Sequence, residues 1–524
     1  MKVLVADSLS KEGIDIMKAV AEVDVKTGLK EAEIVDIIGN YEALVVRSQT
    51  QVTAPIIEAG KKLIIIGRAG VGVDNIDLEA ATKRGIMVVN APTGNTISAA
   101  EHAVALMLAM ARHIPNANFA LKACKWERAK FTGTEVRGKT LGIIGLGNVG
   151  SAVARRARAF EMKLIGYDPF VSQDHAKNLQ IEIVSLERIY KEADFITLHV
   201  PLTPQSKDMI GEKEIAMMKP TCRLINTARG GLINEEALAA ALTAKKITGA
   251  AVDVFPQEPC TSSLLFGLEN AIVTPHLGAS TAEAQVMAAS DVAEQIVDVF
   301  KGFPPKYAVN APFIPPEMMS VLNPFMEVAI KIGKLVSQLA EGQMNKLIIK
   351  YQGEITKYDT NAIKASVLGG LLGNVSEQKV NMVNANLMAS NRGLSVSEQK
   401  ESTCENYASL ITVSATTSSG TVEVAGTVLR NESHIVRVNN YWIDFVPTTG
   451  PFLFVDHKDR PGLIGAVGNI TGEVDVNISA MYVVRLKARG QALMILDLDE
   501  SLPELAKKKI VAIPDFLTAK AIAF

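Results

Sequence analysis

The sequence predicts an α/β fold made of several successive sheets, and its alternation of strands and helices carries that prediction. Short runs rich in β-branched residues, at VLVAD, VDVKT, ALVVRS, LIIIGRAG and MVVNAP, are separated by helical patterns. This alternation is typical of βαβ units and a parallel sheet. A second series of strands begins at GKTLGIIG, after a long apolar helical stretch. Because 524 residues exceed what one hydrophobic core can hold, three or four domains are expected.

Two further regions follow a proline-rich segment. Six prolines lie between residues 301 and 324, which indicates a linker. The Thr-, Ser- and Gly-rich stretch ITVSATTSSGTVEVAGTVL then predicts β-hairpins. The C-terminal segment predicts the order strand, helix, strand, strand, helix, strand, which is that of split-βαβ, ferredoxin-like domains.

Charge, hydropathy and cysteine content exclude several classes of protein. The chain carries 54 Lys+Arg against 56 Asp+Glu, and its basic residues are scattered, so no nucleic-acid partner is expected. Its apolar runs are too short for a membrane span, and the N-terminus does not resemble a signal peptide. The four cysteines are far apart without CxxC pairing, which predicts neither a metal site nor a disulfide framework. We therefore expect a cytoplasmic protein.

A glycine pattern indicates a dinucleotide site. Gly145, Gly147 and Gly150 follow the apolar strand LGII and precede a helical pattern, and Asp168 ends the next strand. The first glycine permits a tight turn, the second lets the backbone approach a pyrophosphate, and the third allows close helix–strand packing. Asp168 is placed to accept hydrogen bonds from the ribose hydroxyls. No arginine is adjacent to it, so NAD is favoured over NADP.

Three ionisable residues follow later strands of this second sheet. Arg229 comes after LINTA, Glu258 stands in PQEP after VDVF, and His276 stands in TPHLGAS after AIV. Because ligands of open α/β sheets bind at the carboxyl ends of the strands, these side chains are expected to converge. The set fits oxidation of a 2-hydroxy acid, with His276 as base, Glu258 orienting it and Arg229 holding the carboxylate. Taken singly, Arg229 could cap a loop, Glu258 could be a solvated acid, and His199 competes as the working histidine.

The blocks GLGNVG…YDP, NTARGGLINEEAL, AVDVFPQEP and TPHLGASTAEAQ resemble those of the D-2-hydroxyacid dehydrogenase family. The segments 45–57, 65–112 and 125–145 and the C-terminal tail resemble its long-form members that act on 3-phospho-D-glycerate. The resemblance implies a Rossmann NAD domain at 98–282, inserted in a flavodoxin-like substrate domain formed by 1–97 and 283–308. It also implies an intervening α+β regulatory domain at 309–447 and a ferredoxin-like ACT domain at 450–524.

Carried over residue by residue, the resemblance agrees on the catalytic residues named above and adds binding positions. For the cofactor these are Asn148, Val149, Thr227, Ala228 and Asp253, in addition to Gly145, Gly147, Gly150 and Asp168 from the glycine pattern. From their places in the sequence, His199, Gly278 and Ala279 are also expected beside the nicotinamide. Arg47, Arg68 and Gly70 match positions near the substrate. Val71 stands where many relatives carry threonine, so a hydroxyl contact to the cofactor is not expected there.

The resemblance also implies regulation and assembly. His457, Asp459 and Asn477 match positions that bind L-serine between two ACT domains in some relatives. Asp459 replaces an asparagine, which leaves open both the effector's identity and a purely oligomeric role for the domain. A homo-oligomer, either a tetramer or a dimer, is expected. The segment 126–128 resembles one that reaches a neighbouring subunit's cleft, although a solvated helix end fits it as well.

The expected activity is NAD-dependent oxidation of 3-phospho-D-glycerate to 3-phosphooxypyruvate, the first step of L-serine biosynthesis. One alternative is another 2-hydroxyacid dehydrogenase, such as a glyoxylate or hydroxypyruvate reductase. A second alternative, from a different class, is an NAD-sensing binding protein.

Overall fold

The computed structural model describes residues 1–373, 375–376 and 380–524, and places them in four β-sheets. The first sheet is parallel and has the order β2-β1-β3-β4-β5, which is flavodoxin-like. Its apolar strands are covered by helices on both faces, so a strand such as ALVV is buried throughout. The elements are β1 (Lys2–Val5), α1 (Lys11–Lys18), β2 (Glu22–Val25), α2 (Glu31–Ile38), β3 (Ala43–Val46), α3 (Ala54–Ala59), β4 (Ile65–Arg68), α4 (Leu78–Lys83) and β5 (Met87–Asn90).

The second sheet is also parallel and has the order β12-β11-β10-β9-β6-β7-β8, which is that of a Rossmann fold with one added strand. The elements are α5 (Thr96–Ala111), α6 (Ile114–Lys122), β6 (Thr140–Ile144), α7 (Asn148–Ala159), β7 (Lys163–Tyr167), α8 (Gln173–Leu179), β8 (Glu182–Ile183), α9 (Leu186–Glu192), β9 (Phe195–Leu198), α10 (Glu212–Ala216), β10 (Arg223–Asn226), α11 (Glu235–Thr243), β11 (Gly249–Val252) and β12 (Ala271–Val273). The strand order reverses between β6 and β9, which opens a crevice there.

The chain crosses twice between these two sheets. The first crossing leads from β5 into α5, which packs on α7, β10 and β11 of the second sheet. The second leads from β12 into α12 (Ala282–Phe300), which packs on α1, β4 and β5 of the first sheet. The chain then returns along β5, where the Asn310 side chain accepts a hydrogen bond from the Val88 amide over 2.8 Å.

The remaining residues form two mainly antiparallel sheets. One face of the fourth sheet packs into the hydrophobic core of the third, and its other face has a separate core. The third contains α13 (Met319–Leu339), β13 (Met344–Gly353), α14 (Asn361–Gly373), α15 (Ala385–Asn391), β14 (Ser395–Glu401), β15 (Ser409–Thr417), β16 (Gly420–Leu429), β17 (Glu432–Val438) and β18 (Tyr441–Phe445). The fourth contains β19 (Pro451–Lys458), α16 (Leu463–Glu473), β20 (Ile478–Arg485), β21 (Gln491–Leu498), α17 (Glu504–Val511) and β22 (Phe516–Ala523). The ring of Phe445 contacts those of Phe452, Phe454 and Tyr482, which joins the two sheets.

These sheets confirm the predicted α/β fold class, including the split-βαβ order of the tail. The linker prediction was wrong at its C-terminal end, because Pro324 lies inside α13. The helix begins at Met319, so Pro324 is its sixth residue, and its missing N–H leaves the Ser320 carbonyl without the usual intrahelical hydrogen bond. Among the described residues, no helix is both long and apolar enough to cross a membrane.

The contact between α13 and α14 depends on Gly370, and the neighbouring Gly369 offers a matched control. A Cβ added to Gly370 would lie 2.2 Å from the Ile330 carbonyl oxygen, whereas one added to the neighbouring Gly369 would have open space. We expect Gly370→Ala to lower the free energy of unfolding of this part by about 1–3 kcal/mol through overpacking. Gly369→Ala should be neutral or stabilising by about 0.5–1 kcal/mol. Denaturant unfolding of both variants tests the pair, and equal effects would contradict the packing argument.

Candidate active site

The glycine turn after β6 has the close contacts that its sequence pattern predicts. Gly145 has a φ of 96°, and a Cβ there would lie 2.5 Å from the His199 carbonyl oxygen. A Cβ on Gly150 would lie 1.9 Å from the Gly145 carbonyl oxygen, so only glycine lets α7 start this close to the strand. Gly147, which precedes α7, faces open space instead. The helix N-terminus is therefore free to receive an anion.

The groups around this turn fit the adenosine and nicotinamide halves of NAD. Asp168 accepts hydrogen bonds from the amides of Leu146 and Phe170, both at 2.8 Å, which fixes the carboxylate at the end of β7. Asn148 is exposed at the first turn of α7. On the other side of the crevice, the Thr227 hydroxyl is buried and has no hydrogen-bond partner among the described residues. An unpaired buried hydroxyl calls for a ligand or water as its partner.

His199 lies beside the glycine turn. Its amide donates to the Ile144 carbonyl oxygen over 2.7 Å, and its Nε2 is 2.9 Å from the Thr197 hydroxyl. Burial lowers the pKa of His199 to about 4, so the imidazole is neutral at physiological pH. Its ring is bonded to Thr197 of β9, and it is not part of the His276 pair. Both observations weaken the case for His199 as the histidine that moves the proton.

His276 and Glu258 form a hydrogen-bonded pair. The His276 Nδ1 lies 2.6 Å from the Glu258 Oε2, and the Phe255 amide donates to the Glu258 Oε1 over 2.9 Å. Burial alone would raise the pKa of Glu258, but the hydrogen bonds from His276 and Phe255 outweigh it and hold this pKa below its usual range. Because Glu258 occupies Nδ1, the other ring nitrogen of this half-exposed imidazole remains available to a substrate.

Asp253 lies beneath the His276 loop and is fully buried. Its carboxylate accepts hydrogen bonds from the Thr274 hydroxyl at 2.6 Å and from the Leu277 and Gly278 amides at 2.8 Å each. Burial favours a higher pKa for Asp253, yet a hydrogen bond from His102, together with these three donors, holds its pKa below the usual value, so the group is ionised. Asp253, which was predicted to line the cofactor, therefore also shapes the loop that carries His276. Ala279 directly follows this loop.

Arg229 reaches from the second sheet to the first. Its Nη1 donates to the Ala228 carbonyl oxygen over 2.7 Å, and its Nε is 3.5 Å from the Asp74 carboxylate. A Cβ on Gly72 would lie 2.5 Å from the Arg229 Nη2, so this glycine leaves the space that the guanidinium occupies. Arg229 therefore stands between the two sheets at their shared cleft.

Arg68 and Arg47 lie on the first-sheet side of the cleft, near Arg229. Burial, followed by repulsion from Arg229 and Arg47, lowers the pKa of Arg68 to about 10. Its Nε is buried and has no hydrogen-bond partner in the part of the chain that the structure describes, and a Cβ on Gly70 would lie 1.6 Å from its Nη1. The structure thus gathers the predicted substrate residues around three positive charges, an arrangement that suits an anion carrying more than one charge.

Sequence reasoning missed the acids that support this cluster. Asp7 is buried and accepts from the Arg47 amide at 2.6 Å and from the Thr50 hydroxyl at 2.6 Å. It follows β1, and Arg47 follows β3, so the two meet at the carboxyl ends of adjacent strands. The available signal was the acid at the end of VLVAD. Asp74 had no comparable signal, because it approaches Arg229 only through the packing of two sheets.

The predicted effector residues do not meet within one chain. His457 is buried, and Asp459 accepts from the Arg485 guanidinium over 2.8 Å at the same end of the fourth sheet. Asn477 lies at the opposite end, where its side chain donates to Asp499 over 2.7 Å. A ligand that touches all three predicted residues would therefore need two copies of the chain.

Comparison with known proteins agrees with this geometry. The model of the D-isomer specific 2-hydroxyacid dehydrogenase NAD-binding domain matches residues 104–278, and that of the D-3-phosphoglycerate dehydrogenase intervening domain matches 321–439. A solved D-lactate dehydrogenase from Aquifex aeolicus, complexed with NAD and lactic acid, is 26% identical with a TM-score of 0.53 and covers 60% of this chain and all of its own. The fold and the site define an NAD-dependent 2-hydroxyacid dehydrogenase.

Relatives that match over the full length identify a narrower family within the 2-hydroxyacid dehydrogenases. The chain is 49% identical to a D-3-phosphoglycerate dehydrogenase of Synechocystis sp., over 99% of this chain and 94% of that protein. It is 41% identical to the D-3-phosphoglycerate dehydrogenase of Bacillus subtilis, over 99% of both. The chain belongs to the D-3-phosphoglycerate dehydrogenase family.

The two later glycines of the turn predict variants with different effects on stability. Gly147→Ala has room in the protein, so thermal stability should stay close to that of the wild type. We expect its NAD affinity to fall about tenfold or more, since a methyl group would stand where the pyrophosphate approaches the backbone. Gly150→Ala should lower the melting temperature as well, because its Cβ meets the Gly145 carbonyl oxygen. Calorimetric NAD titration and thermal unfolding separate the two effects; unchanged NAD affinity in Gly147→Ala would contradict the cofactor placement.

Proposed function

We propose that this chain oxidises 3-phospho-D-glycerate to 3-phosphooxypyruvate with NAD, the first step of L-serine biosynthesis. The observation that carries the proposal is the His276–Glu258 pair, 2.6 Å apart, in the same cleft as an arginine cluster. A base paired with a carboxylate suits removal of a hydroxyl proton. A cluster of arginines suits a substrate that bears both a carboxylate and a phosphate.

In the proposed reaction the protein handles the proton and the charges. The free ring nitrogen of His276 accepts the hydroxyl proton while Glu258 stabilises the imidazolium that forms. Arg229 binds the carboxylate and polarises the oxygen that becomes the carbonyl. Bound NAD supplies the hydride acceptor. We assign NAD contacts to Asn148, Val149, Asp168, Thr227 and Ala228, in addition to the glycines of the turn.

Arg47 and Arg68 receive the phosphate in this proposal. The lowered pKa of Arg68 and its unpaired Nε support the assignment, because an arriving anion would relieve both the repulsion and the missing hydrogen bond. A glyoxylate or hydroxypyruvate reductase would not need a second and third arginine. The complete His276, Glu258 and Arg229 set likewise argues against a protein that only senses NAD.

The regulatory and architectural predictions also remain proposals. We assign residues 1–97 with 283–308 to a substrate domain, 98–282 to the NAD domain, 309–447 to a regulatory domain and 450–524 to an ACT domain. L-serine bound between two ACT domains is supported by the separation of Asn477 from His457 and Asp459. Such a site between two ACT domains would require a homo-oligomer, a dimer or a tetramer. The 83% exposure of the large apolar Trp126 side chain supports the same proposal, because a neighbouring subunit could cover it. A cytoplasmic location is expected from composition.

Replacement of the proposed base gives the primary test. His276 has a φ of 55°, a conformation that asparagine tolerates better than most residues, so His276→Asn should leave the loop intact. We expect kcat to fall by about 10²–10⁴ while NAD binding is retained. His434→Asn is the matched control, because His434 pairs with Asp444 over the same 2.6 Å, but in the third sheet. Near-normal turnover of His276→Asn with 3-phospho-D-glycerate would contradict the assignment of His276 as the base.

Substrate selectivity tests the arginine cluster. Arg47→Ala should lower kcat/KM for 3-phospho-D-glycerate by about 10- to 100-fold, the value of a charge-assisted hydrogen bond or two. The loss for unphosphorylated D-glycerate should be much smaller, since that substrate has no phosphate to bind. Arg137→Ala serves as control, because Arg137 is exposed and pairs with Glu161 away from the cleft. Equal losses on both substrates would remove the phosphate assignment from Arg47.

A further inference from the structure

The loop that carries His276 is bonded to α5 as well as to Asp253. The Ser98 hydroxyl donates to the Gly278 carbonyl oxygen over 2.8 Å. His102 Nε2 lies 3.2 Å from the Thr274 hydroxyl and 3.2 Å from the Asp253 carboxylate. Ser98 and His102 are four residues apart on a helix and therefore share one face. This face contacts both ends of the loop 274–278.

The hydrogen bonds fix which nitrogen of His102 carries a proton. Asp253 is ionised and can only accept, and the Thr274 hydroxyl already donates its proton to Asp253 over 2.6 Å. Whichever of these two oxygens faces Nε2, the imidazole must be the donor. His102 thus supplies a hydrogen bond to a fully buried charge, and unpaired buried charges are costly.

The position of α5 in the chain gives these contacts their significance. α5 follows the crossing from the first sheet to the second, and the loop 274–278 immediately precedes α12, which crosses back. The hydrogen bonds from Ser98 and His102 therefore join the first connection between the sheets to the second, at the loop that carries His276. The proposed substrate groups Arg47 and Arg68 lie on the first sheet, whereas His276 follows the second. The relative placement of the sheets decides whether base and substrate meet.

We propose that Ser98 and His102 are positioning residues that clamp the His276 loop to the crossing helix α5 and so set the imidazole for proton transfer. The proposal rests on the proposed function of His276 as the base. Neither side chain reaches the reacting atoms itself; both act through Thr274, Asp253 and Gly278. Errors of about 1 Å in the position of a reacting group can cost about 100-fold in rate.

Two pairs of variants separate the clamp from simple packing. His102→Leu removes the donor and keeps an apolar side chain of similar size, whereas His102→Gln keeps an N–H donor. Ser98→Ala and Ser98→Thr make the same comparison for the hydroxyl. His113→Asn is the control, because His113 follows α5 with a φ of 51°, which asparagine tolerates.

Hydrogen exchange of backbone amides in the full chain measures how firmly the loop is held, independently of turnover. The Leu277 and Gly278 amides bond to Asp253, so loosening of the clamp should speed their hydrogen exchange. We expect faster exchange there in His102→Leu and Ser98→Ala, and near wild-type exchange in His102→Gln, Ser98→Thr and His113→Asn. In the same two donor-less variants kcat should fall about 10- to 100-fold. His102→Leu should also lower the melting temperature, because the buried Asp253 carboxylate loses one of its donors.

Three outcomes would overturn the clamp. These are unchanged loop exchange in the donor-less variants, equal effects in His102→Gln and His102→Leu, or faster exchange without any loss of kcat. Failure of the proposed function has a different signature: His276→Asn keeps its turnover, or the wild type has none. In that case a role of Ser98 and His102 in positioning the base is overturned too. The exchange data still decide whether these two residues hold the loop to α5.

Discussion

The active site is organised around one buried charge, the carboxylate of Asp253. Removing such a group from water is unfavourable unless its oxygens are hydrogen-bonded. The protein meets this requirement with the Thr274 hydroxyl and with the Leu277 and Gly278 amides, which come from a single loop. Satisfying the charge therefore also folds the loop around His276. The same interaction that makes the buried carboxylate tolerable determines where the imidazole stands.

Much of the fold could be predicted because it is encoded locally. Strands such as ALVV and LGII are continuous apolar runs, as parallel strands covered on both faces require. The glycine turn could be predicted in detail, since backbone contacts at Gly145 and Gly150 leave no room for a side chain. The convergence of Arg229, Glu258 and His276 on one edge followed from the direction of parallel strands, which the βαβ alternation already determines.

Contacts between the two sheets could not be predicted from these rules. Asp74 approaches Arg229, and Gly72 leaves space for its guanidinium, only because two sheets of distant sequence face each other. The contacts of His102 could not be foreseen either, because a single histidine in an apolar helix is most often a packed core residue. Periodicity reports which side of an element is buried and does not report what lies against it. The two-residue strand β8 was missed for a simpler reason, since so short a run has no measurable period.

The arginine cluster shows why these contacts between sheets matter most. Arg68 belongs to the first sheet and Arg229 follows a strand of the second, and their mutual repulsion contributes to the lowered pKa of Arg68. Asp7 and Asp74 offset the repulsion only in part, because Asp7 is engaged by backbone amides and Asp74 is mostly exposed. Arg68 nonetheless stays protonated at neutral pH, so the open cleft keeps a positive potential that attracts anions. A substrate with a negative group at each end would neutralise the positive charge on both sides at once. Its binding would favour the approach of the two sheets that the proposed proton transfer to His276 requires.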